Sequence, residues 1–222
     1  MCILALADDM TGALETGAKF RAAGIEAVVS AKPVATAGAQ ALVLDTETRH
    51  LNAAEARRVV REFVTRSGID SPRLVYKKTD STLRGNISAE LESLAELYPD
   101  WRIGYAPAYP ALGRTVKSGV LYVDGIPAAE TEFASDALNP ISTSSIPALL
   151  HPALPCLVFD GETETDLVAA ARTILSDEHM RIAVEDLAAI PGRTQDLYLI
   201  TKAGGFGTPD TLARVRMTLC PI

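Results

Sequence analysis

The chain has little cysteine. Its 222 residues carry only three, Cys2, Cys156 and Cys220. They are odd in number, far apart, and never in C-x-x-C spacing. A disulfide framework and a zinc site are therefore not expected, and a reducing cytoplasm is. The cysteines read as small buried apolar residues. No apolar run approaches 18 residues, so no bilayer span is expected. The start, MCILALADDMTG, has no basic segment, and Asp8 and Asp9 interrupt its apolar run. It reads as a first strand and not as a signal peptide. Positive charge is scarce too. A net charge of -7 and a pI near 5.0 exclude holding nucleic acid by a general basic field. There is no basic amphipathic face for anionic membranes. Aromatic residues make up 5% and are scattered, which leaves no stacking platform for single strands. Several chemical signatures are missing: no G-x-x-x-x-G-K-[ST], no G-x-G-x-x-G after the first strand, no H-E-x-x-H and no G-x-S-x-G. His50, His151 and His179 have no obvious partner and read as surface residues.

What is present is globular: 48% hydrophobic and 22% charged residues, enough for a full core without staples. Short apolar runs alternate with helical patterns. Strands are expected at Cys2 to Ala7, Glu26 to Ser30, Ala41 to Leu44, Leu74 to Lys77, Arg102 to Tyr105, Leu157 to Asp160 and Leu197 to Thr201. Helices are expected at about Thr11 to Ala23, Ala53 to Arg66, Ile87 to Tyr98, Thr163 to Leu175 and Thr208 to Met217. This order predicts an α/β fold: a mostly parallel sheet with helices on both faces, a single three-layer domain. Residues 106–150 are rich in Pro and Gly and read as an excursion, with a small hairpin at Thr115 to Val123.

Four polar clusters follow strands. The first is Asp8-Asp9-Met10-Thr11-Gly12, between a strand end and a helix start, where open α/β sheets bind ligands. A carboxylate there can orient a hydroxyl, act as a base or hold Mg²⁺; equally, Asp9 can simply cap the helix through the Gly12 N–H. The second is Asp45-Thr46-Glu47-Thr48-Arg49, in which Arg49 is a candidate carboxylate clamp. The third, from Tyr76 through Lys77, Lys78, Thr79, Asp80, Ser81, Thr82, Leu83, Arg84 and Gly85 to Asn86, gathers cations, an Asp and hydroxyls before a helix. Cations at a helix N-terminus suit a carboxylate or phosphate; the plainer reading is a solvated loop with Ser81 or Asn86 as cap. The fourth is the proline loop with Gly113-Arg114-Thr115, then Gly119 and Asp124-Gly125. Parallel strands end on one edge, so the clusters are expected to converge.

The segments ADDMTGALETG, DTETR, YKKTDSTLRGN, PAYPALGRTVKSG, DGIPAAET and SDALNP, in this order, resemble the four-carbon acid sugar kinases, formerly domain of unknown function 1537. The likeness covers about residues 1–175, the acid-sugar-binding N-terminal domain. It implies a cytoplasmic transferase of carbohydrate metabolism that uses ATP and Mg²⁺ to phosphorylate threonate, erythronate or 3-oxo-tetronate. By position it implies Asp9 and Asp80 as catalytic carboxylates. It implies Asp8, Thr11, Gly12, Arg49, Lys78, Ser81, Arg84, Gly113 and Arg114 as substrate-binding residues, with no resident metal ligand. Family members run to roughly twice this length, because a C-terminal domain binds ATP. Its glycine-rich signature is absent here, while Ile200 to Gly207 resembles the family's extreme C-terminal segment. The expectation is thus an N-terminal domain joined by a bridge, about residues 176–196, to a tail that completes the same domain (176–222). Two functions follow. One is a kinase whose ATP site comes from a separate chain or a homo-oligomer; the other is an acid-sugar-binding module without transfer.

Overall fold

The computed structural model describes residues 3–33 and 39–184. The expected strand at Leu197 to Thr201, the helix at Thr208 to Met217 and the Ile200 to Gly207 segment lie outside them.

The chain opens with β1 (Ile3–Ala7), five residues buried on both faces. Then α1 (Met10–Ala22) begins at Asp9, whose side chain accepts the Gly12 N–H. Next come β2 (Ala27–Ser30) and β3 (Ala41–Asp45). α2 (Ala53–Arg66) is capped by Asn52. β4 (Leu74–Lys78), α3 (Ile87–Leu97) and β5 (Ile103–Tyr105) follow. The excursion forms an antiparallel sheet of β6 (Arg114–Lys117), β7 (Val120–Val123) and β8 (Ile126–Pro127), then a short helix α4 (Ile146–Leu149). β9 (Cys156–Val158) leads to α5 (Glu164–Ser176), which opens on a Thr163/Asp166 capping box, and then to β10 (Ile182–Val184).

Seven strands form one sheet in the order β2-β3-β1-β4-β10-β5-β9, every pair parallel. Alternate residues along the strands feed two cores. Leu4, Leu6, Leu42, Leu44 and Val75 pack with Val60 and Val64 of α2 and Leu91 and Leu94 of α3. Ile3, Ala5, Val43 and Tyr76 pack with Phe20 of α1 and Ile174 of α5. The sheet thus has helices on both faces, as the periodicity predicts. α1 approaches closely because it carries Gly17: a Cβ there would lie 2.4 Å from Val29 Cγ2.

The excursion adds a third strand, β8, and the helix α4 to the hairpin expected there, and one strand of the main sheet was not expected. The first part of the segment read as a bridge contains β10, which sits between β4 and β5 near the middle of the sheet. Three residues between charged neighbours are too short to show a period, so the pattern concealed a strand that pairing on both sides makes possible.

Candidate functional site

The direction of strand order reverses beside β1: β3 and β2 lie on one side, β4 on the other. Ligands of open α/β sheets bind at such a switch point, outside the carboxyl ends of the strands. The segments after β1, β3 and β4 meet there, as the sequence predicts.

Two arginines organise the meeting. Arg49, past β3, donates from Nε and Nη2 to Asp8 Oδ2 and Oδ1 at 2.7 and 3.0 Å, and from Nη1 to Asp9 Oδ2 at 2.7 Å. Asp80 Oδ1 lies 3.7 Å from the same Nη1. Arg84, past β4, donates from Nε and Nη2 to Asp80 Oδ2 and Oδ1 at 2.9 and 2.7 Å, and from Nη1 to Asp136 Oδ2 at 3.0 Å. The two arginines share one pattern. A buried carboxylate grips the inner edge bidentately, with Asp8 3% and Asp80 6% exposed; a reachable one holds the outer Nη1, with Asp9 23% and Asp136 25% exposed. Bidentate carboxylate–guanidinium pairs fix orientation as well as charge.

The electrostatics follow. Burial pushes the Asp80 carboxyl upward, but hydrogen bonds from Arg84 and Thr82 and the charges of Arg49 and Arg84 hold it well below the ordinary carboxylate range. Burial works against the Arg49 guanidinium, and the Asp8 hydrogen bonds with the Asp8, Asp80 and Asp9 charges more than offset it, raising its pKa. The Arg84 guanidinium is raised first by its hydrogen bonds to Asp80. Asp45 behaves oppositely. Burial, with the charge of Glu47 beside it, pushes its carboxyl up to about 7. Its Oδ2 is buried and has no hydrogen-bond partner among the described residues.

Asp9 does both things the sequence allowed: it caps α1 through Gly12 N at 2.8 Å and holds Arg49. Gly12 is required for closeness, since a Cβ would lie 2.9 Å from Asp9 Oδ1 and 3.0 Å from Lys78 Cγ. Lys78 is buried, donates to Thr79 O at 2.8 Å, and lies 3.9 Å from Glu15. Thr11 is exposed at the start of α1, and Ser81 is half-buried in the β4–α3 loop. Asn86 stands at the N-cap position of α3 without a capping bond. Its amide instead donates to Thr48 O and Leu51 O at 2.9 and 2.7 Å, tying the two arginine loops together.

The proline loop reaches the same edge by another route. The Arg114 and Arg84 guanidiniums lie 6.0 and 5.3 Å from the Phe133 ring centroid, within cation–π range. Gly113 has φ 72°, and a Cβ would fall 2.0 Å from Asp124 Oδ1; its place is explained by a tight turn. Asp136 was noted in the sequence only within the SDALNP segment, and Lys77 as the end of a strand and a member of the polar cluster after it. Glu90, about one turn into α3, gave no signal beyond a charge amid apolar neighbours. A cavity of about 700 Å³ lies at the opposite, amino-terminal edge of the sheet, beside Tyr98, Trp101, Met180 and Arg181. None of the strand-end clusters lines it, so it is separate from this site.

Comparisons with known proteins give the family and the fold. The profile of the family described as "Sugar-binding N-terminal domain" matches residues 3–186. D-threonate kinase of Bordetella bronchiseptica is 36% identical over 223 residues, covering 95% of this chain and 54% of that protein. 3-Oxo-tetronate kinase of Salmonella typhimurium is 31% identical, covering 94% and 54%. The chain therefore spans about half the length of the curated relatives it matches. A crystal structure of a domain of unknown function 1537 from Bordetella bronchiseptica, a domain-swapped dimer with bound citrate, aligns with a TM-score of 0.75 at 33% identity, over 82% of this chain and 53% of that one.

Proposed function

The chain belongs to the family of sugar-binding N-terminal domains, and from that premise we propose that it binds a four-carbon acid sugar of the threonate, erythronate or 3-oxo-tetronate type. The convergence of Arg49 and Arg84 with Asp9 and Asp80 at the β1/β4 switch point carries this reading. The arginines supply donors for a carboxylate, and the aspartates supply acceptors for hydroxyls. The curated relatives are kinases of such acids, and a solved relative carries citrate, itself a hydroxy-carboxylate.

In this reading Arg49, Arg84 and Lys78 face the carboxylate. Asp9 and Asp80 orient the hydroxyl that would attack a phosphoryl group. Asp8, Thr11, Gly12, Ser81, Gly113 and Arg114 shape the surroundings. Residues 1–175 with β10 form the binding domain. All four outer and inner positions on the arginines are already taken by carboxylates, so the ligand's carboxylate reaches an Nη1 by replacing Asp9 or Asp136.

Phosphoryl transfer in the relatives calls for ATP and Mg²⁺. Among the described residues no group of three or more His, Cys, Asp and Glu is placed to hold a metal ion, and no strand-end loop has the glycine-rich form that cradles phosphates. The described residues do not fit that pair. The donor site is proposed to come from a separate chain, a homo-oligomer partner or a further domain. No helix among the described residues is long and apolar enough to cross a membrane. A second reading, a binding module without transfer, draws on the described residues alone, among which no group is placed to hold a metal ion.

Thermal shift separates the readings. Threonate, erythronate and related acids are tested alone, then with ATP and Mg²⁺. A ligand at 100 times its dissociation constant stabilises by about 2.7 kcal/mol, several degrees for a chain of this size. A shift with an acid supports the binding reading, and no shift with any acid overturns it. A further shift with ATP favours the kinase; its absence favours the module. Should transfer occur, Asp9→Asn is expected to abolish it while the fold remains.

A further inference from the structure

Beneath the arginines lies a second polar system with no reach to solvent. Lys77 is 0% and Glu90 1% exposed. Glu90 Oε2 accepts the Lys77 ammonium at 2.8 Å, and Glu90 Oε1 accepts the Thr48 hydroxyl. Thr48 Oγ1 lies 2.8 Å from Thr46 Oγ1, and Thr46 Oγ1 donates to Ala7 O at 2.7 Å. Lys77 Nζ also donates to Lys78 O at 2.8 Å.

These bonds end on three places: Ala7, the residue before Asp8; Thr46 and Thr48, in the loop that leads to Arg49; and Lys77 and Lys78, at the end of the strand that leads to Asp80. They are the roots of the three segments that form the arginine–carboxylate site. One side chain on α3 joins the second and third directly; the first is tied to the second by Thr46, whose hydroxyl and N–H both donate to Ala7 O. The neighbours of Glu90 on that face, Ile87, Leu91 and Leu94, are apolar and fully packed. Well-packed apolar residues stabilise such a place as well as a buried ion pair does, because both ions lose their hydration. What the pair adds is direction: a carboxylate with two acceptors fixes two donors at set distances and angles.

We propose that Glu90, acting through Thr48 and Lys77, is the positioning residue that sets the three strand-end segments in register for acid binding. Glu90 touches no ligand; it holds Arg49 and Asp80 at the separation a small hydroxy-carboxylate needs. This rests on the acid-binding reading above. It adds to it the residues that decide geometry as opposed to charge.

Glu90→Gln leaves the Lys77 ammonium buried without a counter-charge and can fail to fold, so Thr48 is the better probe. Thr48→Val keeps the shape and removes the hydroxyl; Thr48→Ser keeps the hydroxyl. Ile174→Ala, in the core on the other face of the sheet, is the control for stability lost elsewhere. Threonate affinity is measured by calorimetry. Amide hydrogen exchange is followed at Thr46 and Arg49, whose N–H groups donate to Ala7 O and Asp8 O at 2.9 and 3.2 Å.

Thr48→Val is expected to weaken threonate binding about tenfold and to speed exchange at those two amides by a similar factor. Thr48→Ser and Ile174→Ala should stay within about twofold of wild type in affinity, the latter despite a lower Tm. The proposal is overturned if Thr48→Val matches wild type in exchange, or if Ile174→Ala weakens binding as much as Thr48→Val does. If wild type binds no acid, the acid-binding reading falls. The exchange comparison then decides the positioning role by itself: a change confined to Thr48→Val supports it, and equal change in Ile174→Ala refutes it.

Discussion

Arg49 and Arg84 are held alike and supported differently. Each has a buried aspartate on its inner edge and a reachable one on its outer nitrogen. Yet Asp9, outside Arg49, is pinned by the first turn of α1, whereas Asp136, outside Arg84, stands on the excursion. Its other anchors are backbone N–H groups of its own loop, Leu138 at 3.0 Å and Asn139 at 2.8 Å. The first centre belongs wholly to the sheet-and-helix frame; the second joins the frame to the excursion. A repeated contact can thus serve as scaffold in one place and as a fastening in another.

The sharpest way to break the likeness is at Asp80, which both centres share. Asp80→Ala is expected to cost about 3 kcal/mol in urea unfolding, because it leaves a part-buried guanidinium without its inner partner. Next in size are the arginines. Arg84→Ala is expected to weaken threonate binding by more than about 1.5 kcal/mol, the lower end for a charge-assisted hydrogen bond; wild-type affinity by calorimetry would remove Arg84 from the ligand's contacts. Asp45 tests the frame side through pH. Its carboxyl titrates near 7 in the folded chain against an ordinary 3.8. Between those values the folded protein keeps a proton that the unfolded chain releases, so stability falls as pH rises from about 4 to 7. Asp45→Asn should flatten that fall. Relative to wild type, its Tm is expected to gain on the order of 2–4 °C between pH 5 and 7.5; parallel Tm curves would show Asp45 ionised throughout. The smallest effect is at Asp136. Asp136→Asn should leave the urea midpoint almost unchanged, as an exposed ion pair contributes little, and leave threonate affinity equal or tighter. A clear loss of affinity would make Asp136 part of the ligand's seat.

The frame was largely legible in the sequence. α2 runs from Ala53 to Arg66 as its apolar period and flanking residues predict. The strand-end clusters converge because parallel strands leave them no choice. What stayed hidden depends on distant partners. Spacing places Arg49 and Arg84 at the edge, but it does not show that four carboxylates already occupy them. Asn86 carried a helix-cap signal, yet the two carbonyls of the β3 loop outcompete the helix for its amide. Lys77 was expected at the end of a strand, but only the fold sets its ammonium against Glu90.

The place of β10 bears on how the chain acquires its shape. Ile182 pairs with Val75 on one side and Ile103 on the other. Until that strand arrives, β4 and β5 each present an open parallel edge at the heart of the sheet, the kind of edge that recruits other chains. Closing so distant a pairing is slow because the excursion, β9 and α5 all lie between β5 and β10, and contacts far apart in sequence cost more chain entropy to close. A nascent or truncated chain that stops after α5 would therefore be expected to self-associate through the gap between β4 and β5, and the three residues of β10 would act as the stopper that makes the sheet solitary.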